Sequence, residues 1–315
     1  MNITAIIPVK NGSEFISKSI YTIIKNMRHS DEVIFIDDNS DDNSQKILRS
    51  LTKNYLNVQI LQNPGAGIVD ALNFGILKAK NDWIARFDID DLYLTERVEF
   101  QREFICAEVA AIFCDYNFID KKNGFLGQVL SPVFSQANVW SLIRCQRTPH
   151  PGVLFSKIIF LKAGGYIKKD FPVEDMALWW RMSKYGKLVS VPKTLLEYRL
   201  HNNSTSAVNR LVVNQKRSEI LREYFYLPKS KDQLSFKSQY NSYRLISAAN
   251  ERQLLAILDY FAFLNYSNLR VKAAKHLLFY VPRIVFSPNK LQILLRLFKE
   301  KRQREKYRLN YRKFK

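Results

Sequence analysis

Within the first ninety residues, short β-rich runs alternate with helical stripes, and no other feature restricts the fold of this chain so strongly. Ile3 to Val9 is the first run, after which Phe15, Ile16, Ile20, Ile23, Ile24 and Met27 fall on one stripe near the helical period. Glu32 to Asp38 reads as a second buried strand, and Asp41 or Asp42 is placed to cap the helix carrying Ile47, Leu48 and Leu51. Val58 to Leu61 gives a third strand. Gly65 and Gly67 then punctuate a loop, and a helix from about Ile68 to Lys80 leads into a fourth strand, Trp83 to Phe87.

Strands that alternate with helices predict an α/β fold with a doubly wound, mostly parallel sheet. In such sheets the ligand crevice lies beyond the carboxyl ends of the strands, where the winding direction reverses. Pro8 to Asn11 follow the first strand, Asp37 and Asp38 close the second, and Asp88 to Asp91 close the fourth. One fold assumption therefore brings three polar groups to one rim. A strand order of 3-2-1-4 would put the reversal between the first and fourth strands.

From about residue 121 the alternation weakens. Gly124, Gly127, Pro132, Pro149, Pro151, Gly152, Gly164 and Gly165 mark loops around short apolar pieces such as Val153 to Phe155, and a helical pattern returns at Met176 to Tyr185. This half reads as mixed α and β and is expected to shape a second binding surface. After Pro228 the chain reads as helices: Leu245 to Leu264, Leu269 to Val281, and Leu291 onward after the Ser287-Pro288 start signal.

Charge separates this last region from the rest. The chain carries 49 Lys and Arg against 29 Asp and Glu, a net +20, and 20 of the basic residues but only 5 of the acidic ones fall between Lys229 and Lys315. A basic surface attracts polyanions, either nucleic acid or an anionic membrane leaflet. At 47% hydrophobic and 25% charged residues, disorder as the main state is excluded. Cys106, Cys114 and Cys145 cannot build a paired disulfide framework and no leader pattern opens the sequence, so a reducing cytoplasm is the expected location. The late apolar stretch His276 to Phe286 is cut by Pro282 and Arg283, which argues against an integral membrane protein.

Asp88, Asp90 and Asp91 are the clearest candidates for chemistry. Like charges this close repel, and a divalent cation is the simplest compensation; Mg2+ and Mn2+ prefer oxygen ligands, with substrate phosphates completing the shell. The plainer reading is that Asp90 or Asp91 caps a helix near Thr95. Asp37-Asp38-Asn39-Ser40 can likewise accept hydrogen bonds from a base or ribose, or can simply be a turn. Glu174 and Asp175 open an amphipathic helix, where they suit the helix dipole, and a carboxylate in a cleft can instead act as a general base. His150 and His201 could touch phosphate or metal, or be structural. No G-x-G-x-x-G follows the first strand and no G-x-x-x-x-G-K-[ST] occurs, which disfavours dinucleotide oxidoreductases and P-loop hydrolases.

Taken together, the motifs resemble those of bacterial family-2 glycosyltransferases with the GT-A fold, especially the exopolysaccharide and capsule (amylovoran-type) subgroup. The resemblance runs from about Ile3 to Ser206. Its marks are Ile6-Ile7-Pro8-Val9-Lys10-Asn11-Gly12, Ile36-Asp37-Asp38-Asn39-Ser40-Asp41, Ala71-Leu72-Asn73-Phe74-Gly75, Ile84-Ala85-Arg86-Phe87-Asp88-Ile89-Asp90-Asp91, Arg97 with Gln101, His150-Pro151-Gly152, Gly164-Gly165-Tyr166, Glu174-Asp175 with Leu178-Trp179 and Arg181, and Tyr198-Arg199 with His201. Asn39 stands where the family has a glycine, and Ile89 where it has a small residue.

The resemblance implies a nucleoside-diphosphate-sugar donor, first of all a UDP-sugar, and a saccharide or lipid-linked acceptor in surface polysaccharide synthesis. By position, Pro8, Lys10, Asn11 and Asp38 would hold the nucleotide, Asp88 would lie against ribose or metal, Asp90 would ligate Mg2+ or Mn2+, and Asp175 would be the catalytic base of an inverting transfer. Asp37, Asp91, Glu174, His150 and His201 are further candidates. Residues 1–120 would form the donor half of the GT-A domain, 121–227 the acceptor and base half, and 228–315 a basic helical extension with no family motif. That extension suits peripheral attachment to an anionic membrane surface, or packing of its apolar stripe on the catalytic domain. Nucleic acid is not the expected partner. The rival readings are a sugar nucleotidyltransferase, which would want a glycine-rich loop after the first strand where only Gly12 stands, and a noncatalytic basic protein that binds polyanions.

Overall fold

The computed structural model describes residues 1–131 and 148–201, together with 204, 212, 213, 215, 216, 219 and 220, all within one compact unit, Met1–Ile220. The expected helices beyond Pro228, the basic extension and Cys145 lie outside the described residues.

The first half follows the alternation in the sequence. β1 (Thr4–Val9) and β2 (Glu32–Asp37) are apolar on both faces because helices cover both, and they pair in parallel with Thr4 opposite Glu32 and Val9 opposite Asp37. α1 (Ile16–Lys25) buries Ile16, Ile20 and Ile23, the stripe its spacing sets out. α2 (Ser44–Thr52) follows β2, and β3 (Val58–Gln62) pairs with β2. Asn43, not Asp41 or Asp42, holds the N-cap position of α2; Asp42 lies one residue earlier, where its carboxylate accepts from Ser44 N at 2.9 Å and from Ser13 N at 3.0 Å. α3 (Ile68–Lys78) leads to β4 (Trp83–Arg86), which adds to the other side of β1. The order 3-2-1-4 is the one expected.

Beyond β4 the sheet becomes mixed. β5 (Leu92–Tyr93) and α4 (Arg97–Arg102) precede β6 (Val109–Ile119), with β7 (Phe125–Val129) hairpinned onto it. β8 (Leu154–Ser156) is antiparallel to both β4 and β6, and β9 (Lys187–Arg199) runs parallel to β6. The full order is β3-β2-β1-β4-β8-β6-β9-β5, with β7 off the path on β6. α5 (Lys157–Lys162) and α6 (Glu174–Met182) pack behind it, with Trp179 of α6 fully buried against Phe113 and Phe155.

Two buried polar side chains knit the halves. Arg97 donates to the carbonyls of Arg86 (2.9 Å), Pro151 (2.8 Å) and Val153 (3.2 Å), with its guanidinium 4.0 Å from the centre of the Phe87 ring. Gln101 donates to the carbonyls of Ile112 and Gly152. Burial lowers the Arg97 guanidinium to about 10, and backbone carbonyls rather than a carboxylate satisfy it.

Candidate active site

Strand direction determines what meets at the rim. β1 to β4 are parallel, so their carboxyl ends share one edge. β8 opposes β4 and β6 opposes β8, so β6 again points as β4 does, and β9 follows β6. Residues after β6 and β9, and those just before β8, therefore arrive at the same edge as Asp38 and Asp88.

At the end of β4 the alternation sends Phe87 and Ile89 into the core and turns Asp88 and Asp90 towards solvent, with 26% and 28% of their side chains exposed. Asp91 is turned into the protein, where its Oδ1 accepts from Arg199 N at 2.7 Å. One carboxylate oxygen from each of Asp88, Asp90 and Asp91 lies within 4.8 Å of the others. The Tyr93 hydroxyl bonds both the N–H and the carbonyl of Asp88, fixing the loop. Neither Asp90 nor Asp91 caps a helix near Thr95, because β5 intervenes and α4 begins only at Arg97 with Glu96 before it.

Arg199, the last residue of β9, and His201, two residues beyond it, complete this cluster. His201 Nε2 is 2.8 Å from Asp90 Oδ2, and Arg199 Nε donates to the Asp90 carbonyl at 2.7 Å. Burial, reinforced by the charges of Asp90 and Asp88, pushes the Asp91 carboxyl well above its usual range. Burial also raises Asp88, with Asp90 adding to the effect and Arg86 opposing it. Carboxylates that repel in this way, two of them open, with an imidazole in reach, fit a hard divalent cation.

The loops after β1 and β2 are tied to each other. Lys10 Nζ donates to the Asn39 carbonyl at 2.5 Å, Asn11 N to Ser40 Oγ at 3.1 Å, and Asp41 N to Asn11 Oδ1 at 2.8 Å. Asn11 and Asn39 take φ of 48° and 57°, the left-handed region that asparagine tolerates best after glycine. Pro8 sits within β1 opposite Ile36. Asp37 is buried and accepts from Ser40 N at 3.3 Å. Asp38 is also largely buried; both its oxygens accept from Gly67 N, at 3.0 and 3.1 Å, and Oδ1 accepts from Asn63 Nδ2 at 2.6 Å. It thereby joins β2 to the loop that opens α3.

α6 opens with Glu174 and Asp175 in its first turn, where negative charge is favourable. Burial raises the Glu174 carboxyl to about 7, with the Asp175 charge adding to it. Asp175 Oδ1 accepts from Met176 N at 2.7 Å, and the Asp175 charge acts on Asp88, Tyr166 and Glu174. His150 Nε2 is 2.7 Å from the Tyr166 hydroxyl, and its ring packs against Trp179. Burial, with the Arg86 charge, holds His150 neutral, so it offers no positive charge to a phosphate. Asn73 fixes Tyr166 through both its N–H and its carbonyl.

Asp88, Asp90 and His201 thus come together, with the Asp175 charge acting on Asp88; Lys10 and Asn11 are tied to the loop after β2, and Asp37, Asp38 and Asp91 are bound into the protein. Arg86 was not singled out in the sequence. It is buried at the end of β4 with Nη1 2.5 Å from Asp88 Oδ1. The signal that could have found it is a cation inside an otherwise apolar strand.

Residues 4–159 match the sequence model of Glycosyl transferase family 2. The chain carries a glycosyl transferase family 2 domain. An uncharacterized glycosyltransferase of Haemophilus influenzae is 25% identical over 246 residues, 72% of this chain and 75% of that protein. The UDP-Gal:alpha-D-GlcNAc-diphosphoundecaprenol beta-1,3-galactosyltransferase of Escherichia coli is 27% identical over 69% of this chain and 80% of its own length. Among solved structures, residues 1–349 of S. aureus TarS superpose with a TM-score of 0.58 at 14% identity, covering 86% of this chain and 75% of that one. The mannosyltransferase PcManGT of Pyrobaculum calidifontis, solved with GDP-Man and Mn2+, gives 0.56 at 15% identity, covering 92% and 82%. At that identity the structural likeness is one of fold, and the fold is that of the GT-A enzymes. The family 2 domain spans the rim from Lys10 to His150, and Asp175 and His201 follow it in the sequence.

Proposed function

We propose that the protein is an inverting glycosyltransferase. It moves a sugar from a nucleoside diphosphate to a hydroxyl of a growing saccharide or lipid-linked acceptor in surface polysaccharide synthesis. The observation that carries this reading is the meeting of the open carboxylates Asp88 and Asp90 with the charge of Asp175 at one edge of one sheet. In this reading residues 1–120 serve the donor and 121–227 the acceptor and base.

Pro8, Lys10, Asn11 and Asp38 would border the nucleotide, Asp88 would meet ribose or metal, Asp90 with His201 would hold Mg2+ or Mn2+, and Asp37 and Asp91 keep the loops in place. A divalent cation held there would stabilise the charge gathering on the departing diphosphate. Asp175 takes the proton of the acceptor hydroxyl. The freed oxygen attacks the anomeric carbon from the face opposite the diphosphate, so the bond to phosphate breaks as the glycosidic bond forms, with inversion. A UDP-sugar is the first donor to try, since the E. coli relative is named for UDP-Gal and TarS has been solved with UDP-GlcNAc; GDP-mannose, bound in PcManGT, is the second.

The deciding experiment incubates the full chain with Mn2+ or Mg2+, a panel of UDP- and GDP-sugars, and saccharide or polyprenyl-diphosphate acceptors. Transfer with inverted anomeric configuration is expected. Pyrophosphate exchange in place of transfer would establish a nucleotidyltransferase instead, and salt-sensitive RNA binding without donor turnover would favour the noncatalytic polyanion binder. No helix among the described residues is long and apolar enough to cross a membrane. We assign the basic extension to peripheral attachment; flotation with anionic liposomes should weaken when residues 288–315 are removed, and identical flotation would exclude them as the anchor.

A further inference from the structure

Arg86 is an unusual terminus for a core strand. Only 1% of it is exposed, its Nε and Nη1 are both buried without a hydrogen bond of good geometry among the described residues, and Nη1 meets Asp88 Oδ1 as an ion pair at 2.5 Å. A buried guanidinium is costly to desolvate and is a poor way to gain stability compared with an apolar residue of similar size. The frame around it is nevertheless fixed. Arg97 holds the Arg86 carbonyl at 2.9 Å, and Tyr93 holds both backbone groups of Asp88. On its other side the Arg86 charge reaches Glu174, Tyr166 and His150.

We propose that Arg86 is a positioning residue for the transfer reaction: it holds one oxygen of Asp88 and leaves the other directed at the donor. The same buried charge also acts on Glu174, at the start of α6. The proposal rests on the reading above that Asp88 meets the donor nucleotide or its metal. Arginine suits the task where lysine does not, because its planar fork can hold a carboxylate oxygen in a set direction while remaining charged in the interior. Acting through Asp88, Arg86 touches neither the sugar nor the acceptor.

A double-mutant cycle tests this. Full-length wild type, Arg86→Met, Asp88→Asn and the double variant are titrated calorimetrically with UDP and with GDP in the presence of Mn2+, after thermal melting has established that each is folded. Arg86→Met alone is expected to weaken binding of the preferred nucleotide about ten-fold or more. In the Asp88→Asn background the same change is expected to alter it less than about two-fold, because residues acting through one contact are not additive. Arg86→Lys keeps the charge with a different reach, and a smaller loss, about three-fold, is expected; it carries the test if the methionine variant does not fold. Unchanged affinity in the single variant, or equal losses in both backgrounds, overturns the proposal while leaving the glycosyltransferase reading standing. Wild-type protein that binds neither nucleotide overturns that reading, and this proposal with it.

Discussion

His201 Nε2 lies 2.8 Å from Asp90 Oδ2, joining side chains 111 residues apart in the chain. Topology explains the meeting: β9 runs parallel to β6 and ends on the edge where β4 delivers the aspartates. Phe15, from the start of α1, packs its ring 5.1 Å from that of His201, and Arg199 grips the Asp90 carbonyl. Asp90 is therefore held by side chain and backbone together, which is how a metal-binding carboxylate is kept aimed.

Asp90→Ala is expected to abolish the Mn2+-dependent part of nucleotide binding, because it removes the more exposed of the two open carboxylates. His201→Ala should weaken Mn2+ affinity by about 10- to 100-fold, the usual cost of losing a supporting or ligating group. Calorimetric metal titration reads both. Wild-type affinity in Asp90→Ala would remove the metal from the proposed site.

Asp175→Asn separates binding from chemistry. The amide keeps size and polarity but cannot accept the acceptor's proton, so turnover should fall by about 10² to 10⁴-fold. Nucleotide affinity should remain within about two-fold of wild type. Steady-state transfer rates alongside UDP titration make the comparison, and near-normal turnover would reject Asp175 as the base.

The first four strands are legible in the sequence because each is short, largely apolar and bracketed by turn residues, and their shared direction sets Asp38 and Asp88 on one edge. β6 and β9 were not. Val109–Ile119 carries Asp115 and Asn117 within it, and Lys187–Arg199 carries Pro192, Lys193 and Thr194. Both owe their strand character to pairing with each other from Val109 opposite Lys187 to Ile119 opposite Arg199, which no local period records. Missing β9 also hid why His201 belongs with Asp90. Arg97, marked with Gln101 by the resemblance, and Arg86, inside a longer motif string, had no role legible in the sequence for a different reason. Sequence reasoning puts arginine at the surface, and only the packed structure shows one against Asp88 and the other among three carbonyls.

Arg97 makes a stability prediction independent of chemistry. Arg97→Met should destabilise the fold by roughly 3 kcal/mol or more, since the carbonyls of Arg86 and Pro151 lose the guanidinium donor in the interior and that of Val153 keeps only the Arg86 N–H. Arg97→Lys should recover little of this, because an ammonium cannot span three carbonyls and stack on Phe87 as a planar fork does. Urea unfolding measures both; a loss below about 1 kcal/mol in the methionine variant would show that water satisfies those carbonyls.

Glu174 predicts a pH dependence. Burial first, then the Asp175 charge, raises its carboxyl from the ordinary 4.5 to about 7. Between those values the unfolded chain has released a proton that the folded chain still holds, so stability falls as pH rises. The favourable state is complete below the unfolded value and is spent above the folded one. Asp88 and Asp91, raised in the same direction, add to the slope. In Glu174→Gln the fall in unfolding free energy between about pH 5 and about pH 7.5 should shrink by up to about 3 kcal/mol. Urea melts at the two pH values decide it: a slope equal to that of wild type would mean that Glu174 is already ionised in the folded protein at pH 5.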